Sequence, residues 1–162
     1  MSFEEIRVIT IVYLAVLLPL LIYFTNKSKL PSWIPSFYIV SLVVCALGWE
    51  LWFTYGWLDG DAVNIRRSEA LNTWLPKDIN WLMNSMADAG AVLCGGVWLM
   101  WITHKKDSIV FKKWKWSAFS IFLIWCIGQN ILVEMFLYHD QLADDKLLSW
   151  APLSPFGPYF NP

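Results

Sequence analysis

Residues 45–61 read CALGWELWFTYGWLDGD, and the fold turns on how the one glutamate in this stretch is housed. Ahead of it, residues 42–47 are apolar apart from Cys45, and Trp49, Leu51, Trp52 and Phe53 surround Glu50. A run of this kind reads as part of a membrane span. A carboxylate at that depth is costly and requires a partner, a water-filled pocket or a proton. Two further acids, Asp88 and Glu134, fall in later apolar segments.

The bulk composition supports a membrane class. Of the 162 residues, 57% are hydrophobic, above the soluble norm of about 45–50%, and the mean hydropathy is +0.47. Twelve basic and thirteen acidic residues leave a net charge of −1, and without a basic stripe nothing points to nucleic acid. Cys45, Cys94 and Cys126 lie in apolar segments and form no CxxC pair. They read as small buried hydrophobes rather than a disulfide frame. With only His104 and His139, neither a metal site nor a haem is expected, and no organic cofactor is implied. The first 25 residues carry Glu4 and Glu5 beside a single Arg7 and show no small-residue cleavage site. They read as a retained helix rather than a cleaved signal.

Working outward, the pattern predicts an all-α integral-membrane four-helix bundle forming a single domain. Spans are expected at about residues 6–24, 36–57, 80–102 and 117–137, each long enough at about 1.5 Å per residue to cross about 30 Å of hydrocarbon. Pro19 lies inside the first, which membrane helices tolerate. The longest loop follows the second span. Its middle, SEALNTWL (residues 68–75), reads as a short interfacial helix with Ser68 as cap and Pro76 as terminator. Gly90, Gly95 and Gly96 in the third span permit close helix approach. The tail beyond His139 has four prolines after Trp150 and is expected to lie irregularly along the surface.

Seven lysines (27, 29, 105, 106, 112, 113 and 115) fall in the first and third loops, against five Lys/Arg on the other side. The positive-inside rule therefore places those loops in the cytoplasm, with both termini and the long loop outside or lumenal. Most of the twelve tryptophans fall near one interface or the other, as aromatic belts do.

Counted from the span ends, Glu50 lies about 10 Å, Asp88 about 12 Å and Glu134 about 5 Å below the outer face. Each heads a polar stripe at helical spacing. Trp81, Asn84 and Asp88 share a face with Ser85 beside them and Gly95 two turns on. Cys126, Asn130, Glu134 and Tyr138 are spaced by four with Gln129 adjacent, and Phe53, Thr54 and Trp57 follow Glu50. Three such faces at one depth predict a pocket open toward the long loop, its mouth covered by Arg66, Arg67 and the tail. The bland alternative is a polar plug, in which amides and acids merely hold helices together at about 1 kcal/mol per hydrogen bond.

A carboxyl group walled by apolar side chains keeps its proton more readily and can act as a general acid. Aromatic faces such as Trp49, Trp52, Phe53 and Tyr55 can hold a developing positive charge. The combination suits protonation of an alkene or epoxide, followed by a double-bond shift or cyclisation. His104 and His139 fall at opposite faces and read first as interfacial residues. His139, beside Asp140 and one turn past Glu134, is the better functional candidate.

The chain resembles the EXPERA group of four- and five-helix membrane proteins, which includes the sterol Δ8–Δ7 isomerase and the sigma-2 receptor. The matching pieces are Glu50 with its aromatic followers and Gly60-Asp61, then Asp88, then Gly128-Gln129 leading to Glu134 and His139. It departs from that isomerase in having Ala46 where the enzyme has a histidine, and a proline-rich tail where the enzyme has a fifth helix. Trp49-Glu50 is also similar to a pair in the membrane-bound terpene cyclases of meroterpenoid pathways. Both resemblances imply acid chemistry on an isoprenoid-type lipid. The leading reading is a small integral-membrane isomerase or cyclase for such a lipid, with Glu50 as proton donor, Asp88 and Glu134 as tuning or accepting groups, and Asn84, Asn130 and Tyr138 as orienting groups. Trp49, Trp52, Phe53, Trp81, His139, Arg66 and Arg67 would line the lipid-like substrate. Two readings stand beside this one: a non-catalytic accessory subunit of a larger photosynthetic or respiratory membrane complex, and a lipid-binding receptor without chemistry. A homo-oligomer or neighbours in a membrane complex stay open as partners.

Overall fold

The computed structural model describes residues 1–56, 61–133 and 137. Among them all regular structure is helical. Helix α1 (Phe3–Asn26) starts at a reciprocal cap: Ser2 Oγ accepts from the Glu5 amide, and the Glu5 carboxylate accepts from the Ser2 amide at 2.7 Å. Two of the donors that a helix start leaves unpaired are thereby satisfied. The helix runs unbroken through Pro19. Leu14, Leu17, Leu18 and Leu21 are exposed along it, as suits a helix whose outer surface meets lipid rather than water.

The second apolar segment is two helices. Helix α2 (Ile34–Leu47) ends at Gly48, and α3 (Trp49–Tyr55) leaves at a 42° bend. This departs from the expected continuous span over residues 36–57, of which Trp57 lies outside the described residues.

The described part of the long loop contains the expected short helix. After a single turn, α4 (Val63–Arg66), Ser68 caps α5 (Glu69–Trp74) by accepting from the Leu71 amide at 3.3 Å. Leu71 and Leu75 are fully buried while Trp74 faces out. Pro76 ends α5 and opens the next helix. Two contacts pin the loop to α1: Ser68 Oγ donates to Glu5 Oε1, and Tyr13 Oη donates to the Trp74 carbonyl at 3.2 Å.

The long span begins at Lys77, three residues earlier than expected, because Pro76 sets the entry geometry and Asp78 favours a first turn. It comprises α6 (Lys77–Ala87), a π-helical segment (Asp88–Cys94) and α7 (Gly95–Thr103). A 3₁₀ turn at Ser108–Phe111 leads to α8 (Trp116–Leu132). The expected glycine contacts are present. A Cβ at Gly90 would lie 2.9 Å from Pro19 Cβ, and one at Gly96 would lie 2.7 Å from Phe122 on α8. The π segment lies against α1 and α2, α3 lies against α6, and α7 lies against α8.

Among the described residues, two helices are long and apolar enough to cross a membrane, α1 and the 27-residue helix Lys77–Thr103; the bent pair α2–α3 makes a third if counted as one span. Helix α8 is apolar but shorter over its described length.

Candidate functional site

The site is built on the break at Gly48. A Cβ there would come within 2.6 Å of the Val44 carbonyl oxygen, so only glycine allows the chain to close so tightly on α2. The Gly48 amide donates to the Val44 and Cys45 carbonyls at 2.9 and 3.2 Å. The Ala46 carbonyl is satisfied from the neighbouring span, where Trp81 Nε1 donates to it at 2.8 Å. The break also redirects side chains. In a regular helix, positions 45 and 50 would point about 140° apart. Here Cys45 and Glu50 are both buried, at 0% and 3% exposure, and Thr54 one turn on is at 1%.

Opposite the break, the long span supplies the second acid. Asp88 opens the π segment, and its Oδ2 accepts from Trp49 Nε1 at 2.8 Å. Asn84, one turn earlier, hydrogen-bonds the Glu50 carboxyl. Asp88 and Arg66 both lie close enough for their charges to act on Glu50, and Cys45 lies within reach of both acids. Ser85 is fully buried and donates back to the Trp81 carbonyl at 2.7 Å. Two irregularities, a helix break and a π segment, thus face each other with a carboxyl group on each. Such departures from α geometry recur where backbone or side chains are needed for function. Glu50 Oε2 and Thr54 Oγ1 are buried without a hydrogen-bond partner among the described residues.

The arginines are more internal than a pocket cover requires. Arg67 is buried and holds the loop together: Nε donates to Asn72 Oδ1 at 2.8 Å, Nη1 to Asn80 Oδ1 at 2.9 Å, and Nη2 to the Leu75 carbonyl. Burial, with the neighbouring Arg66 charge second, pushes its guanidinium down to about 10, still charged at neutral pH. Arg66 is also buried and donates from Nη2 to the Phe53 carbonyl at 2.6 Å, near the end of α3.

The other sequence candidates divide. Trp49 donates its indole N–H to Asp88, and Trp81 donates its own to the Ala46 carbonyl at the break. Trp52 is 46% exposed on the outer side of α3, and Phe53 is half-buried. Asn130 and Gln129 are turned back onto their own helix, both donating to the Cys126 carbonyl. Glu134, Tyr138 and His139 lie outside the described residues. Gly95 does not continue the face of Asp88. It packs on Trp125 of α8, whose Nε1 donates to the Ala91 and Val92 carbonyls at 3.2 and 3.0 Å. The expected alignment assumed α-helical winding, and the π segment changes it. His104 joins the ends of α7 and α8 through Ser117 Oγ at 2.9 Å.

Among the described residues, no three His, Cys, Asp or Glu side chains gather as a metal ion would need; the acids are flanked instead by an indole, an amide and a guanidinium. Sequence reasoning missed the role of Gly48. Its signal was a glycine directly before Trp-Glu inside a span, with no other reason to be there. No family model, curated protein or solved structure matches the chain.

Proposed function

We propose that the chain is a small integral-membrane isomerase or cyclase acting on an isoprenoid-type lipid by carboxylic-acid protonation. The observation that carries this reading is the buried Glu50, with Oε2 unpartnered and Asp88 beside it. A carboxyl oxygen kept free of protein partners in an apolar span is available to a substrate.

In the isomerase form, the neutral Glu50 carboxyl gives its proton to one carbon of a substrate double bond, leaving a cation at the other carbon. The indole faces at the site stabilise that cation. The Asp88 carboxylate then takes a proton from the adjacent carbon, whose C–H electrons form the shifted double bond. Proton transfer from Asp88 back to Glu50 restores the starting state, with no net oxidation. In the cyclase form, the Glu50 proton goes to an epoxide oxygen, the C–O bond breaks, and an internal alkene closes on the carbon before the same loss to Asp88. Asn84 and Trp49 orient the two acids.

The same proposal includes a fourth span beginning with α8 and a four-helix bundle, with the basic first and third loops cytoplasmic. Exposed Lys105, Lys106, Lys112 and Lys113 with exposed Trp114 and Trp116 support that side assignment. The rival reading is a polar clasp that only holds the bent span to the long one, as in an accessory subunit. Purified wild type and Glu50→Gln, each incubated with the lipid extract of the host, separate the two. The proposal expects conversion of one isoprenoid lipid by wild type and a loss of at least about 10²-fold in the variant, the usual scale of general acid catalysis. Equal conversion by both proteins removes Glu50 from any mechanism.

A further inference from the structure

Three buried polar atoms have no hydrogen-bond partner among the described residues and lie on the bent span: Tyr38 Oη, Glu50 Oε2 and Thr54 Oγ1. Their positions are ordered. Tyr38, Ser41 and Cys45 follow one another at helical spacing on α2, and Glu50 and Thr54 are one turn apart on α3. Ser41, Cys45, Glu50 and Thr54 are all buried. The break at Gly48 is what keeps the two sets on one side. Tyr38 borders Gly90 and the Cys94 thiol, and Glu50 borders Asn84 and Asp88, so the long span faces the row along its length.

A polar group left unsatisfied in hydrocarbon costs several kcal/mol, and three in a row are too many to attribute to accident. Buried water is the usual partner of such groups and needs two to four polar neighbours. The row supplies them: two hydroxyl groups and a carboxyl oxygen that can each donate or accept, with Ser41 and Cys45 between. We propose that this seam binds a file of water molecules, entered from the long-loop end at Thr54 and reaching past Glu50 toward Tyr38. The file stands on its own geometry. Its use in exchanging the Glu50 proton with bulk water, beside the direct return from Asp88, rests on the chemistry proposed above.

Cys45 is a native reporter, because it is fully buried midway along the row and its S–H vibration has a spectral window of its own. In a Cys94→Ser, Cys126→Ser background reconstituted in liposomes, transfer to D2O is followed by infrared absorption of the Cys45 S–H. The seam predicts that S–H becomes S–D while the backbone amides of α2 keep their protons, so that exchange reports water access and not helix opening. Thr54→Val slows that exchange at least about tenfold and Thr54→Ser restores it, as expected for loss and return of one hydrogen-bonding station. An S–H that survives as long as the α2 amides overturns the file, a result that needs no variant of Thr54. Exchange unchanged in Thr54→Val but slowed in Tyr38→Phe overturns entry from the long-loop end. Neither readout involves turnover, so a dry seam and an inactive Glu50 are separable results.

Discussion

Replacing Trp81 by phenylalanine tests whether the bend at Gly48 is held by the neighbouring span. The phenyl ring keeps most of the apolar contact of the indole and removes its one N–H. That N–H serves the Ala46 carbonyl at 2.8 Å, and Ala46 is only 8% exposed. It lies in the last turn of α2, where carbonyls have lost their helical donors. Leaving a buried acceptor unpaired costs about 1–3 kcal/mol, and the smaller ring leaves part of its slot unfilled. The expected loss is about 2–4 kcal/mol, a shift of about 30- to 700-fold in the folding equilibrium. Reversible unfolding in mixed micelles, followed by circular dichroism, measures it. Trp52→Phe is the control, since Trp52 is 46% exposed on the adjoining helix, and substitutions at such positions change stability by about 0.5 kcal/mol or less. If Trp81→Phe is no more destabilising than the control, the capped break is not a source of stability and the account of how Glu50 is positioned fails.

Arg67→Met removes the donor fork from two buried acceptors, the Asn80 side chain and the Leu75 carbonyl. A loss of about 2–4 kcal/mol is expected in the same assay, and Arg67→Lys recovers little of it because a single ammonium cannot reproduce the planar fork. Two glycine substitutions are expected to differ in sign. Gly96→Ala places a Cβ 2.7 Å from Phe122 and costs about 1–3 kcal/mol, whereas Gly128→Ala meets no atom within 4 Å and gains up to about 1 kcal/mol from helix propensity. Similar values for the two would show that α7 and α8 do not pack as described.

The membrane class, the short helix capped by Ser68 and stopped by Pro76, and the tight glycine contacts were all legible in the sequence. Each depends on local rules: apolar length, cap chemistry, and the absence of a side chain. The burial of Glu50 and its closeness to Asp88 were legible as an expectation, because an acid in an apolar run has few affordable places to go. The glycine at position 48 was in view, but the geometry of the break there was not legible. Hydropathy measures the side chains of a span and carries no record of which backbone carbonyls keep their helical donors. The pairing of Trp49 with Asp88 was hidden too, since the sequence placed Trp49 beside Glu50 but carries no record of where its indole N–H is aimed. Arg67, expected at the mouth of a pocket, is buried inside the loop instead. Nothing local reveals that Asn72, Leu75 and Asn80 will fold around it.

The seven residues Asp88–Cys94 have one more consequence. In an unbroken α-helix a heptad returns to within about 20° of its starting direction, which would stack Gly95 beneath Asp88 and force α8 to compete with the bent span for a single groove. The wider winding uncouples the two ends of the rod, so that one half attends to the acids and the other to Trp125 and Phe122. Excising a single residue from this interval would leave composition and hydropathy almost unchanged, yet swing the lower half of the rod round its axis and cost α8 its seat.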